Sequence, residues 1–214
     1  MTSHLGGHFG TTAMLLPTFD FILKNFNIKS VIDIGCGPGG MTEYINYKNV
    51  YCIGIDGDES IEKKDYIIFH DYIYGPLKLD ETFDLAYSTE FLEHVEEKYI
   101  PNFIETFKKA NYVFCTAAPP GQGGYHHVNE QPLEYWIKIF QENGFVYQKE
   151  HSDEIKKTCG DKIVARNSLF FRNSHQYENN YNRKPFPIDY EPLKKKVNFH
   201  YDGLGKSIVG YDRW

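Results

Sequence analysis

Val31-Ile-Asp-Ile-Gly-Cys-Gly-Pro-Gly-Gly40 joins an apolar run ending in an acid to a loop with glycines at 35, 37 and 39. The run reads as a buried strand, and the loop as a tight turn that opens a helix over Met41 to about Tyr47. Glycine accepts positive φ and lets a ligand approach the main chain with no Cβ in the way. In doubly wound α/β sheets nucleotides bind at this place, the carboxyl end of the first strand. Gly35, Gly37 and Gly40 also satisfy Gly-x-Gly-x-x-Gly, so a dinucleotide fold competes for the same residues. Asp33 separates the two readings: a carboxylate there repels a pyrophosphate but attracts a cationic amino-acid ligand.

Three further apolar runs follow in step. Val50 to Asp56 ends in an acid 21 positions beyond Gly35, placed to accept both hydroxyl protons of a ribose. Tyr66 to Asp71 and Phe83 to Ser88 read as the third and fourth strands. The Asp-x-Gly-x-Gly-x-Gly loop and these three segments together resemble the class I S-adenosylmethionine-dependent methyltransferases, in the broad type-11/type-23 small-molecule group, over residues 30–172. The resemblance implies a Rossmann-like, doubly wound, seven-stranded sheet, mostly parallel with one antiparallel strand and helices on both faces. It also implies a cofactor site of Asp33, Gly35, Gly37, Gly39, Asp56, Gly57, Asp71, Tyr72 and Ser88, with Asp71 at the adenine amino group.

Outward from this centre, residues 1–12 form a Gly/His-rich arm or lid that carries His4 and His8. Leu15, Leu16, Phe19, Ile22, Leu23 and Phe26 then fall at helical spacing, with Pro17 in the first turn, where its missing N–H does no harm. Past the fourth strand, Glu90 to Ala110 reads as helical with a break before Pro101, and Tyr112 to Ala118 as the fifth strand. A loop dense in Pro, Gly and His runs from Pro119 to Glu130; a helix from Gln131-Pro132 ends near Gly144. Phe145 to His151 and Ser168 to Arg172 are the expected antiparallel pair, closing a domain over 13–173. From 174 to 214 the texture becomes polar and aromatic, an arm expected to pack on the domain or on a second copy in a homodimer.

The net charge of −6 argues against a broad nucleic-acid footprint. Cys36, Cys52, Cys115 and Cys159 are scattered with no Cys-x-x-Cys pair, which reads as reduced thiols in a cytoplasmic setting. No apolar run approaches membrane-spanning length, and the amino terminus lacks the layout of a secretion signal.

Methyl transfer to a hydroxyl needs alignment, exclusion of water and a proton acceptor. On a helix Glu90, Glu93 and His94 would share one face. Glu-x-x-Glu-His followed by a later His is similar to the pattern of two metal-assisted O-methyltransferase groups, one acting on terminal ribose of small RNAs and the other on catechol-type intermediates. That likeness implies a divalent cation (Mg²⁺, Mn²⁺ or Zn²⁺) on Glu90, Glu93, His94 and a later histidine, His126 or His127, with His127 preferred. Independently of metal, His126 and His127 are candidate bases, since imidazole titrates near neutrality, and Glu90 is a third catalytic candidate. The expected activity is therefore S-adenosylmethionine-dependent O-methylation of a small polar acceptor, a sugar or glycan precursor. The alternatives are a metal-assisted RNA ribose 2′-O-methyltransferase and a non-catalytic cofactor sensor or partner subunit. A DNA amino-methyltransferase is disfavoured, because Pro119-Pro120 follows Ala-Ala and not an amide or acid.

Overall fold

The computed structural model of the chain describes residues 8, 10–158, 166–178 and 184–188. At its centre lies β1 (Ser30–Ile34), buried along its whole length. It is paired in parallel with β2 (Tyr51–Asp56) and β4 (Phe83–Ser88). Strands covered on both faces become continuous apolar runs, which is why these three were readable as strands. Outward on one side is β3 (Ile67–Phe69); on the other are β5 (Ala110–Thr116), β7 (Ser168–Asn173) and β6 (Phe145–Tyr147). The order is β3-β2-β1-β4-β5-β7-β6, with β7 antiparallel to both of its neighbours. This is the expected seven-stranded, doubly wound sheet.

Alternation along each strand splits the core into two layers. Val31, Cys52, Leu85 and Tyr87 pack with Phe19 and Ile22 of α1 (Leu16–Asn25), Met41 and Ile45 of α2 (Gly40–Tyr47), and Ile155 of α5 (Lys149–Thr158). Ile32, Ile34, Ile53 and Ile55 pack with Phe103 and Phe107 of α3 (Ile100–Phe107) and with Trp136 and Phe140 of α4 (Leu133–Glu142). The same period places Asp33 on the α2 side of the sheet, in line with Val31, and Asp56 in line with Cys52.

Three segments depart from the expectations. Glu90 to Ala110 is not one helix: Glu90 has φ +53°, short 3₁₀ turns span Leu92–His94 and Glu97–Tyr99, and only then does α3 begin, with Pro101 in its first turn. A positive φ at a residue with a Cβ breaks a right-handed helix, and here the Glu90 N–H donates to Thr116 Oγ1 at 3.0 Å. Phe145 to His151 pairs over its first three residues only. Its remainder enters α5, which turns Ser152 and Ile155 inward and pairs Lys149 with Asp153 on the outer face. The fifth strand begins two residues earlier than expected, at Ala110.

Of the carboxyl-terminal arm, Tyr177 donates its N–H to Asn111 Oδ1 (2.6 Å) and its hydroxyl to the Lys108 carbonyl (2.8 Å). Phe186 donates its N–H to Asn46 Oδ1 (3.0 Å) and stacks on Tyr51. These described stretches pack on the domain itself; most of 174–214, and with it the expected homodimer contact, lies outside the described residues. So do His4 and Cys159. Cys36, Cys52 and Cys115 are buried free thiols, each pushed up in pKa by burial. Among the described residues no helix is long and apolar enough to cross a membrane.

Candidate active site

Between β1 and β4 the strand order reverses, so the loops leaving their carboxyl ends part and open a cleft. The glycine loop forms one wall. Gly35 and Cys36 both donate their N–H groups to the Ile55 carbonyl (2.9 and 3.0 Å), tying the loop to β2. Gly35 has φ +75°, and a Cβ there would stand 2.6 Å from the Phe91 ring, in the turn that follows β4. The two walls therefore touch at a residue that only glycine fits.

Asp56 holds the loop from the β2 side: its Oδ2 accepts from the Gly37 N–H (2.8 Å) and its Oδ1 from the Asp58 N–H (2.9 Å). Each carboxylate oxygen keeps a further lone pair for a ribose hydroxyl. Burial pushes the Asp56 carboxyl up in pKa, against those two amides. Asp33 lies beneath the loop and not on its lip, 3% exposed, with Oδ2 accepting from Thr42 Oγ1 at 2.7 Å. Burial, opposed by Thr42 and reinforced by Asp56, raises it to about 7. An acid so short of counter-charge is ready for a cation.

The other expected cofactor residues divide. Asp71, at the end of β3, accepts the Ile73 N–H (3.0 Å) and caps the turn Tyr72–Tyr74. The Tyr72 ring points into the core, its hydroxyl donating to Thr106 Oγ1 (3.0 Å). Its carbonyl accepts from Asn102 Nδ2 (2.6 Å) and the Gly75 N–H (3.3 Å), so neither its ring nor its carbonyl faces a ligand unbonded. Ser88 is buried and donates to the Ile34 carbonyl (2.8 Å), a tie between β4 and β1. Gly57 follows Asp56 at the cleft, half-buried.

Residues that sequence reasoning did not single out complete this wall. Thr42 is the hydrogen-bond partner of Asp33. Lys64 donates to the Pro38 carbonyl (3.0 Å) and pairs with Glu43, which also accepts from the Tyr66 hydroxyl (2.8 Å), clamping the back of the loop. Of the amino-terminal arm, the described residues 8 and 10–12 lie against the front. His8 Nδ1 accepts from the Gly10 N–H (2.9 Å), which leaves its Nε2 as the protonated nitrogen toward Asp58 Oδ2 at 3.1 Å. Thr12 Oγ1 accepts the Gly40 N–H (3.0 Å) at the start of α2.

The opposite wall carries the titratable cluster. Val128 and Asn129 both donate N–H groups to the Glu93 carbonyl (2.9 and 3.0 Å), folding the His loop onto the turn after β4. This brings Glu93, His94 and His127 together, one ligating atom of each within 4.8 Å of the others. The His94 and His127 rings meet edge to face at 4.9 Å. Glu93 is 0% exposed and neither of its carboxylate oxygens has a hydrogen-bond partner. Burial, and then the nearby Glu90 charge, push its carboxyl well up, against the pull of its own amide and that of Ala118, which approach it without completing a hydrogen bond. Burial and the two neighbouring imidazoles hold His94 down at about 4, so it is neutral at pH 7. Glu90 contributes charge but does not join the three-residue group, and the helical face expected to unite it with Glu93 and His94 is not formed. His126 has φ +55° on the same loop, between Tyr125 and His127, with Tyr125 and Val128 exposed at the rim.

Residues 11–116 match the Methyltransf_23 model, a methyltransferase domain. The chain is a class I S-adenosylmethionine-dependent methyltransferase. Its fold resembles a chain of the Haloferax volcanii complex between the Trm112 methyltransferase activator and a putative methyltransferase (11% identity, 76% of this chain and 91% of that chain, TM-score 0.54). It also resembles phosphoethanolamine N-methyltransferase 1 of Haemonchus contortus, solved with phosphoethanolamine and S-adenosylhomocysteine (13% identity, 86% of this chain and 46% of that one, TM-score 0.53). A third likeness is to the methyltransferase domain of bacterial CtHen1-C (18% identity, 75% and 97% coverage, TM-score 0.52). At these identities the structural likenesses carry the fold and not the acceptor. In this methyltransferase Asp33, Asp56 and the glycine loop stand together at the carboxyl ends of β1 and β2, where the cofactor is expected.

Proposed function

We propose that this methyltransferase acts on a hydroxyl of a small polar acceptor, a sugar-type vicinal diol, with a divalent cation on Glu93, His94 and His127. One observation supports this above the others: a fully buried carboxyl group that completes no hydrogen bond, with only two main-chain amides approaching it, beside two imidazoles. A buried acid left unsatisfied costs about 1–3 kcal/mol or more, a cost that a ligand would offset. One carboxylate and two imidazoles suit Mn²⁺ or Zn²⁺ better than Mg²⁺. A bound cation supplies Lewis acidity that lowers the pKa of an acceptor hydroxyl. S-adenosylmethionine brings a methyl group already activated on sulfur, so the chain's own task is placement and proton removal. Asp33 and Asp56 hold and orient the cofactor, Tyr125 and Val128 face the acceptor, and His126 takes the proton.

A second reading is favoured by the 2.9 Å contact between His127 Nδ1 and Glu130 Oε1. Here no cation is used and His127, backed by that carboxylate, is the base. The deciding experiment is methyl transfer by the full chain to free sugars, their monodeoxy analogues and RNA with a terminal ribose diol, after chelation and after return of Mn²⁺. The proposal expects activity lost on chelation, restored by Mn²⁺, and absent with monodeoxy acceptors. A full rate in chelator removes the cation and leaves His127 as the base. Transfer to RNA alone moves the acceptor there, against the charge of −6. Cofactor binding without transfer to any acceptor favours a sensor.

A further inference from the structure

The segment Pro119 to Gly124 holds two prolines and three glycines, a composition the cofactor site does not use. Gly121, Gly123 and Gly124 all have positive φ (+82°, +71° and +154°). That backbone turns the alternate amides of Gly121 and Gly123 inward, while the Gln122 N–H closes a turn on the Pro119 carbonyl, and such inward amides bind anions. The anion here is a side chain of the same loop. Glu130 Oε2 accepts the Gly121 N–H (2.8 Å), and its Oε1 accepts both the Gly123 N–H (2.7 Å) and His127 Nδ1 (2.9 Å). With both oxygens engaged, Glu130 is not free to swing toward the cluster as a ligand. The His127 side chain is 8% exposed, and a Cβ on Gly124 would stand 2.4 Å from its Nε2. The imidazole is thus gripped at Nδ1 by a carboxylate, and one face of its ring packs against the bare main chain of Gly124.

We infer that Glu130 is the positioning residue of this site, fixing His127 with its proton on Nδ1 and its lone pair on Nε2. A carboxylate accepts and does not donate, so a neutral imidazole bonded to it carries the proton on the bonded nitrogen. Nε2 is then the one atom of His127 able to give electrons to a cation. Carboxylates behind metal-bound histidines set tautomer and ring orientation in this manner. The inference rests on the cation reading above for its function, but its first test does not.

The full chain, labelled with ¹⁵N and free of metal, would be examined by long-range ¹H–¹⁵N correlation at a pH where His127 is neutral. The expected spectrum has His127 protonated on Nδ1. A proton on Nε2 overturns the inference outright, with no variant needed. Next, Mn²⁺ binding would be measured by calorimetry for wild type, Glu130→Gln and Glu130→Ala. A loss of about 10–100-fold is expected in both variants. Affinity equal to wild type in whichever variant folds overturns the positioning role. If wild type itself binds no Mn²⁺ while Nδ1 carries the proton, the cation reading fails and Glu130 still stands as the residue that holds His127.

Discussion

The two walls of the cleft are built by opposite rules. On the glycine-loop side, buried acids are satisfied by the protein: Asp56 accepts from Gly37 and Asp58, Asp33 from Thr42, and Glu43 from Lys64 and Tyr66. On the opposite side Glu93 is buried and neither oxygen completes a hydrogen bond, one residue away from a neutral His94. The first wall is a finished surface that a ligand completes by adding contacts. The second is unfinished without one, and unfinished groups are where stability is given up for function.

The sharpest way to break this contrast is to remove the orphan. Glu93→Met replaces a buried acid with an apolar side chain of similar length. It should raise stability by about 1–3 kcal/mol, the cost of leaving a polar group unsatisfied. The same variant should lose methyl transfer by about 100-fold or more, the scale on which a catalytic group contributes. Thermal melting and initial rates on one preparation check both. A less stable variant would show that Glu93 is held by the fold and not kept for a ligand.

The contrast also explains what could be read from the sequence. β4 was legible residue for residue, Phe83–Ser88, because a strand buried on both faces leaves an unbroken apolar run between polar ends. α5 was missed: Phe145-Val-Tyr begins as a strand, and the helix after it buries only Ser152 and Ile155, a weak signal against many charges. Glu93, His94 and His127 do come together, but not through the helical face expected to unite Glu90, Glu93 and His94, which is not formed. What joins them is the pair of amides, Val128 and Asn129, on the Glu93 carbonyl, and main-chain closure of that kind leaves no trace in residue type. Glu130 and Thr42 escaped for a related reason: each acts by its distance to one other side chain, which spacing alone does not encode. The glycines at 121, 123 and 124 were the available clue, since positive φ in series implies amides aimed at something.

A second test sharpens the comparison from the finished side. In the free protein Asp33 sits at about 7, raised from 3.8. Between those two values the folded chain keeps a proton that the unfolded chain has lost, so this group makes ligand-free stability fall as pH rises from about 4 to 7. The cofactor's positive charge favours the ionised acid and pulls that pKa down. Binding then expels a proton below about pH 7, and affinity should weaken up to about tenfold per unit as pH falls through 6. Calorimetry of S-adenosylmethionine, without acceptor, in buffers of different ionisation enthalpy measures the proton count. No proton release at pH 6 would mean that the cofactor's cation is not felt at Asp33.

The smallest effect should come from the arm, because it closes the finished wall without completing it. His8 reaches Asp58 at 3.1 Å, and both side chains are mostly shielded, 19% and 13% exposed. Between them they hold the arm over Gly37, where an added Cβ would come within 3.3 Å of His8. Asp58 stands two residues beyond Asp56, so loosening its contact with His8 tests whether residues 8 and 10–12 slow a ligand leaving the pocket expected to hold the ribose. A single surface pair contributes about 0–1 kcal/mol, and shielding places this one toward the upper end. His8→Ala should therefore speed S-adenosylhomocysteine dissociation about two- to fivefold while leaving the Asp33 proton release intact. Asp58→Asn is the matching variant, since an amide oxygen still accepts from Nε2–H and only the charge is lost. If Asp58→Asn behaves as wild type while His8→Ala releases faster, the latch is a hydrogen bond between neutral imidazole and acceptor. If both accelerate equally, it is an ion pair and weakens with added salt. Unchanged dissociation in both would show that the arm rests on the loop without gating it.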